Sequence, residues 1–167
     1  RRVLFRSDYI LEIYEYVHQI LPLSRKREDN FIAGHSMGGY GTIKFALTQS
    51  DKFAKAAPLS AVFEAQRFID LDWTDFSPQS ITGNNTQIKG TELDTYYLLD
   101  QAIDANVDIP ELFIMCGKED FLYHDNLQFI ETLNKKGVSY KFEDGPGDHD
   151  YAYWDRAIKR AIKWFVQ

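Results

Sequence analysis

The fold of this chain is decided by residues 30–47, which read NFIAGHSMGGYGTIKFAL. A short apolar run comes first, a G-x-S-x-G pentapeptide follows, and residues suited to a helix come last. This order predicts a strand, a sharp turn and a helix, the unit called a nucleophile elbow. The turn lifts the hydroxyl of Ser36 above the edge of the sheet. We predict that Gly34 and Gly38 are both required, because side chains there would collide with neighbouring backbone.

A nucleophilic serine needs a base, and the base needs an acid that orients it. Where this elbow occurs, the chain order is serine, then acid, then histidine. Residues 112–117 read as a buried strand that ends in a glycine turn, and Asp120 follows. An alternating strand over residues 138–142 leads to His149, on a loop before the last helix. The order therefore selects Ser36, Asp120 and His149.

Other residues compete for the roles of acid and base. Glu119 is the neighbour of Asp120, but its simpler interpretation is a solvated charge, so we favour Asp120. The other histidines in the chain are His18, His35 and His124. His18 falls in an amphipathic helix, and adjacent residues on an elbow diverge, so His35 is a poor base. We assign His35 and His124, which begins a helix after the acid loop, to the substrate pocket, together with Trp73 from the less regular region described below.

Residues 30–41 resemble the elbow of the putative-esterase family of α/β-hydrolases. That family includes tributyrin esterases, S-formylglutathione hydrolases, and feruloyl and acetylxylan esterases. Its later blocks resemble residues 56–60, 116–122, 147–150 and 151–154. The resemblance implies an α/β fold, with a mostly parallel sheet flanked by helices, and a serine esterase. It also implies Ser36 as nucleophile, Asp120 as orienting acid and His149 as base.

An oxyanion hole needs two backbone N–H donors, and Met37 supplies the one that follows the nucleophile. The second comes from a loop near the third strand, but only one helix and one strand are predicted before Ser36. We therefore expect the C-terminal portion of an α/β-hydrolase domain, with its early strands missing. Residues 2–7 do not read as part of the helix that follows them. Two interpretations of residues 1–7 stay open: a non-native, adapter-derived sequence, or a genuine strand end.

The length of 167 residues fits a single domain, which we expect to be a partial one over residues 1–167. Residues 61–108 are less regular and fall between the nucleophile strand and the acid strand. We predict a lid-like insertion here, because insertions at this point of the fold lie over the active site. Its apolar residues either line an acyl or alcohol pocket or only pack the lid; they are Phe68, Trp73, Phe76 and Ile81.

The first and last helices each carry a predicted apolar face. The first is expected to begin at Ser7 and Asp8, and its face contains Ile10, Ile13, Tyr14, Val17 and Leu21. The last is expected to cover the sheet with Trp154, Ile158, Ala161, Ile162 and Phe165.

Composition restricts the class of protein. Apolar residues make up 44% of the chain and aromatic residues 15%, as in globular proteins. The net charge of −6 and the lack of a basic stripe argue against nucleic acid, and no apolar run is long enough to cross a membrane. Cys116, the single cysteine, reads as a buried hydrophobe, and the lack of disulfides favours a cytoplasmic protein. No metal site is predicted, because the acids around His149 lack the ligand series of a calcium loop.

These observations predict a serine esterase that hydrolyses short-chain carboxylic esters through an acyl-enzyme, without a cofactor. Its partner would be a small-molecule ester or thioester, and the oligomeric state stays open. Three alternatives also stay open. They are an S-formylglutathione thioesterase, an acyltransferase, and an inactive fragment that lacks part of its oxyanion hole.

Overall fold

The computed structural model describes residues 2–70 and 86–167, with side chains from residue 8 onward. The predicted lid residues Trp73, Phe76 and Ile81 lie outside this part of the chain. In the described part, the elements in chain order are α1 (Arg2–Ile20), β1 (Phe31–His35), α2 (Met37–Thr48), β2 (Lys55–Leu59), α3 (Ala65–Asp70), α4 (Thr95–Asp104), β3 (Glu111–Gly117), α5 (Tyr123–Lys136), β4 (Lys141–Gly145) and α6 (Tyr151–Phe165).

The strands of the described residues form one parallel sheet in the order β1-β2-β3-β4. Gly34 lies opposite Pro58, Leu59 lies opposite Met115, and Cys116 lies opposite Asp144. All the strands point the same way, so their carboxyl ends meet at one edge, where ligands bind in open α/β sheets. The predicted α/β class, with a parallel sheet flanked by helices, is confirmed.

Helices cover both faces of the sheet. On one face, α2, α4 and α5 bury a cluster that includes Ile43, Leu99, Phe129 and Ile114. On the other face, α6 packs on a second cluster that includes Phe113. Strand residues alternate between the two clusters, as expected for a pleated strand buried on both sides. This packing fixes the strand ends that carry the site.

The start of the chain differs from the prediction. We expected a helix only after Ser7, but α1 begins at Arg2. Residues 2–6 contain no proline or glycine, so nothing in them stops a helix. The predicted apolar face is only partly used, because the described residues leave Ile10, Ile13 and Leu21 exposed.

The strand after α5 begins later than predicted. We expected it over residues 138–142, but β4 spans Lys141–Gly145. The reason is the end of α5, which closes in a Schellman motif at Gly137. The N–H of Val138 donates to the carbonyl of Leu133 at 3.0 Å, so residue 138 still belongs to the helix end.

The last helix covers the sheet with nearly the predicted residues. Trp154 and Ala161 are buried in the core, as expected. Ile162 is 55% exposed, and Ala157 is buried instead. At 100° per residue, Ile162 lies about 80° from Trp154 around the helix, outside the buried stripe.

The predicted insertion over residues 61–108 contributes to the core. Leu98, Leu99 and Ala102 of α4 belong to the same cluster as Ile43 of α2. Phe68 on α3 is buried as well. That residues 61–108 form a lid over the site stays a prediction. Within residues 2–70 and 86–167, no helix is both long and apolar enough to span a bilayer.

Candidate active site

The turn between β1 and α2 holds Ser36 in a strained backbone conformation. Its φ of 54° and ψ of −119° are unusual for a residue with a side chain. The N–H of Ser36 donates to the carbonyl of Leu59 at 2.9 Å, and its own carbonyl accepts from Tyr40 at 3.1 Å. These bonds fix the turn from both sides. The predicted strand, sharp turn and helix are confirmed.

Of the two glycines predicted to be required around Ser36, only one lies where a side chain would collide with its neighbours. A Cβ on Gly34 would lie 2.5 Å from the carbonyl oxygen of Gly38, so the prediction for Gly34 is confirmed. The prediction for Gly38 is wrong, because a Cβ there would meet nothing within 4 Å. The crowded residue is Gly39, which faces β2: its Cβ would lie 2.7 Å from the Cβ of Ala61.

The sheet edge brings Ser36, Asp120 and His149 into one chain of hydrogen bonds. His149 Nε2 lies 2.9 Å from Ser36 Oγ, although 113 residues separate the two in sequence. His149 Nδ1 lies 3.0 Å from each carboxylate oxygen of Asp120. An ionised carboxylate only accepts, so Nδ1 carries the hydrogen and Nε2 is left to accept from the serine hydroxyl. The serine is thereby linked to a base, and the base to an acid.

The carboxylate of Asp120 is kept ionised by several donors. Its side chain is 0% exposed, and burial alone would raise its pKa. Hydrogen bonds from His149, from the Ser60 side chain and from the backbone N–H of Leu122 outweigh this cost, so its pKa lies below the ordinary value. A negative charge at this position favours the histidine tautomer described above.

Glu119 does more than the solvated charge we predicted. It is exposed, but its Oε2 accepts from the backbone N–H of Gly147 at 2.6 Å. The N–H of Glu119 also donates to the carbonyl of Gly147 at 3.1 Å. Gly147 lies two residues before His149, so these bonds join the acid loop to the histidine loop.

The other acids near His149 have partners of their own. Each accepts a hydrogen bond: Asp144 from the hydroxyl of Tyr123, Asp148 from the N–H of His149 and Asp150 from the N–H of Tyr153. Their carboxylates therefore brace the loop and cap α6. Among the described residues, no group of three or more His, Cys, Asp or Glu is placed to hold a metal ion.

Aromatic rings surround the histidine. The indole of Trp154 stacks on His35 with 4.0 Å between centroids and meets His149 edge-on at 4.8 Å. Phe121 packs on His149 from another side, at 4.5 Å. Burial, with a smaller effect from His149, lowers the pKa of His35, so its imidazole is favoured in the neutral form. His35 thus lies next to the histidine of the site, packed under the same tryptophan.

Two more residues are predicted to line the pocket, His124 and Trp73. His124 is exposed on α5, where its Nε2 pairs with the side chain of Gln128 at 3.3 Å. Trp73 falls outside the described residues. The backbone N–H of Met37 opens α2, and the amino end of a helix favours negative charge. Roles for these residues in binding stay predictions.

Ser60 and Trp154 are two parts of the site that the sequence did not reveal as such. Ser60 follows β2 with a φ of 43° and is 0% exposed. Trp154 Nε1 donates to Ser60 Oγ at 3.1 Å. We read Trp154 only as a residue that covers the sheet. The available signal for Ser60 was a serine at the carboxyl end of a buried strand, the same edge that carries Ser36.

The sequence and structure can be compared with known proteins. The model of the family described as Putative esterase matches residues 5–165. An acetyl esterase from Caldicellulosiruptor saccharolyticus is 28% identical over 160 residues, which are 92% of this chain and 60% of that protein. The fluorophosphonate-binding serine hydrolase FphF of Staphylococcus aureus superposes with a TM-score of 0.92 and 71% identity, over 96% of this chain and 63% of that one.

A second solved structure, the S-formylglutathione hydrolase FrmB of Staphylococcus aureus, gives a TM-score of 0.89 with 71% identity, over 96% of this chain and 63% of that one. This chain therefore spans less than two thirds of the length of these relatives. The family model, in contrast, matches nearly all of the chain. The chain belongs to the putative esterase family, within the α/β-hydrolase fold.

Proposed function

We propose that this chain carries the nucleophile, base and acid of a serine esterase. The observation that carries the proposal is the pair of contacts made by His149, 2.9 Å to Ser36 Oγ and 3.0 Å to the Asp120 carboxylate. Membership of an esterase family supports the same chemistry. A strained serine, a histidine and a buried carboxylate hydrogen-bonded in this order suit acyl transfer.

The proposed reaction has two halves. In the first, Ser36 Oγ attacks the ester carbonyl while His149 Nε2 takes the hydroxyl proton. The backbone N–H of Met37 donates to the oxyanion, and His149 then returns the proton to the alcohol as the carbonyl–oxygen bond breaks. In the second, water replaces the alcohol: it gives a proton to His149 and attacks the acyl-serine, and His149 returns that proton to Ser36 Oγ as the bond to the acyl carbon breaks and the acid leaves. Asp120 stabilises the imidazolium formed in each half.

We propose short-chain carboxylic esters as substrates, which agrees with the acetyl esterase among the relatives. A second candidate is hydrolysis of an S-acyl thioester. The 71% identity to a protein named S-formylglutathione hydrolase favours it. Both reactions use the same three residues, because they differ only in the group that leaves.

Substrate comparison tests the proposal. Initial rates are measured with p-nitrophenyl acetate, p-nitrophenyl octanoate and S-formylglutathione, with the Ser36→Ala variant as control for spontaneous hydrolysis. We expect the acetate to be hydrolysed faster than the octanoate. A higher kcat/KM on S-formylglutathione than on the acetate would favour the thioesterase. Rates equal to those of Ser36→Ala on all three substrates would contradict the proposed function and favour the alternative of an inactive fragment.

A further inference from the structure

We propose that Ser60 is a positioning residue whose hydroxyl ties the Asp120 carboxylate to the indole of Trp154, and thereby holds acid and base together. The inference rests on the proposed function, because it assigns Ser60 a part in the same site. Its evidence is separate: the place of Ser60 in the sheet, the direction of its hydrogen bonds and its backbone conformation.

Ser60 lies at the centre of the sheet edge that carries the site. It follows β2, which pairs with β1, the strand before Ser36, and with β3, the strand before Asp120. Its backbone N–H donates to the carbonyl of Met115 at 2.7 Å. The preceding carbonyl, that of Leu59, accepts from Ser36 at 2.9 Å. The residue is thus fixed between the nucleophile turn and the acid strand, where its side chain is fully buried.

The direction of the hydrogen bonds follows from the groups involved. An indole N–H can only donate, so Ser60 Oγ accepts from Trp154 Nε1 at 3.1 Å. The one hydrogen of the hydroxyl can then serve either the carboxylate of Asp120 or the sulfur of Cys116, and the charged carboxylate is the stronger acceptor. This bond helps to hold the pKa of Asp120 below its ordinary value against the opposite effect of burial. The hydroxyl is therefore oriented from both sides.

The backbone of Ser60 adopts a conformation that residues with a side chain rarely take. Its φ is 43°, in the left-handed region, where an L-residue is strained and glycine is not. Strain of this kind persists where the surroundings fix the conformation, and it is frequent at functional sites. Glycine would fit this backbone better but has no hydroxyl. The presence of serine is explained if the hydroxyl is needed.

Trp154 carries the effect from Ser60 to the base. Its ring meets His149 edge-on at 4.8 Å and stacks on His35 at 4.0 Å. The hydrogen bond to Ser60 holds the indole in this position. A single hydroxyl therefore contacts the acid directly and supports the ring of the base through one intermediate side chain.

Two substitutions at Ser60 separate the effect of losing the hydroxyl from the effect of relieving the backbone strain. Ser60→Ala removes the hydroxyl and keeps the strain, whereas Ser60→Gly removes both. We expect both variants to lower kcat on p-nitrophenyl acetate about ten- to a hundred-fold, with little change in KM, because a hydrogen bond to a charged group is lost. The matched control is Ser139→Ala, an exposed serine before β4, which should keep wild-type kcat. Melting temperatures are measured for all of them.

A double-mutant cycle tests the link to the tryptophan. Trp154→Phe keeps a ring against His149 but removes the N–H. Because both groups act through one hydroxyl, the Ser60→Ala and Trp154→Phe losses should combine to clearly less than their product. A double variant whose loss of kcat equals the product of the two single losses would contradict the inference. A Ser60→Gly variant with wild-type kcat and wild-type stability would also contradict it. If the wild type hydrolyses the ester and Ser60→Ala has the same kcat, the inference about Ser60 is wrong while the proposed function stands. A wild-type chain without hydrolysis above the Ser36→Ala background would overturn the proposed function beneath it.

Discussion

The turns that follow β1 and β2 have the same backbone conformation at their first residue but different surroundings. Each begins with a serine in a positive-φ conformation, Ser36 at 54° and Ser60 at 43°. Ser36 is partly exposed and its hydroxyl contacts His149, whereas Ser60 is fully buried and bonds to Asp120 and Trp154. The two serines therefore share their backbone strain and differ in burial and hydrogen-bond partners, as their proposed roles of nucleophile and positioning residue require.

The largest expected difference between the two turns is in the activity that is lost when each serine is replaced. Ser36→Ala should abolish ester hydrolysis, a loss far larger than that of Ser60→Ala, because it removes the hydroxyl that is proposed to form the acyl-enzyme. His149→Ala should cost nearly as much, since nucleophile and base act as a unit. Steady-state kinetics with circular dichroism measure both activity and fold. Substantial hydrolysis by folded Ser36→Ala would show that Ser36 is not the nucleophile.

The acid is the partner that the two turns share, through His149 on one side and Ser60 on the other. Asp120→Asn should lower kcat about a thousand- to ten-thousand-fold, because an amide favours the wrong histidine tautomer, as in serine proteases. Glu119→Gln is the matched control. It keeps an acceptor for the Gly147 N–H, so a few-fold loss is expected. A crippled Glu119→Gln beside a mild Asp120→Asn would reverse the assignment.

Gly39 lies where the two turns approach each other. A Cβ on this residue would come within 2.7 Å of the Ala61 Cβ and 3.1 Å of the Leu59 carbonyl oxygen. Gly39→Ala should therefore lower the free energy of unfolding by about 1–3 kcal/mol, because backbone must shift. Gly38→Ala is the control, since the space around it is open and alanine favours a helix. Equal denaturation midpoints for the two variants would mean that the turns are not packed as described.

The smallest effect concerns pH. The pKa of Asp120 is lowered in the folded chain, so the carboxylate contributes stability that is present above its unfolded pKa of about 3.9 and is lost as pH falls through the lower folded value. Urea unfolding of the wild type, relative to Asp120→Asn, should therefore show a stability difference that declines below about pH 4. A difference that increases on acidification would mean that burial outweighs the hydrogen bonds.

The sequence predicted the parts of the site that are encoded locally. The elbow at Ser36 is a continuous pentapeptide, and the order of acid and histidine follows from the strands before them. Ser60 was not recognised, because its role depends on Trp154, 94 residues away, and on a buried contact with Asp120. The contact of Glu119 with Gly147 is equally non-local.

Errors at the element ends have a similar origin. The alternating residues before β4 read as strand, but the Schellman motif at the end of α5 holds residue 138 within the helix end. The apolar face predicted for α1 includes Ile10 and Ile13, which are exposed, because an apolar face is buried only where another element packs on it. Periodicity identifies an apolar face but does not determine what covers it.

Covalent labelling identifies directly which of the two serines is the nucleophile. The 167-residue chain is incubated with a fluorophosphonate probe, digested and examined by mass spectrometry, with Ser36→Ala and Ser60→Ala treated in parallel. We expect one modified residue, Ser36, with labelling abolished in Ser36→Ala and slowed but still at Ser36 in Ser60→Ala. Labelling at Ser60, or a wild-type chain that remains unmodified, would contradict it.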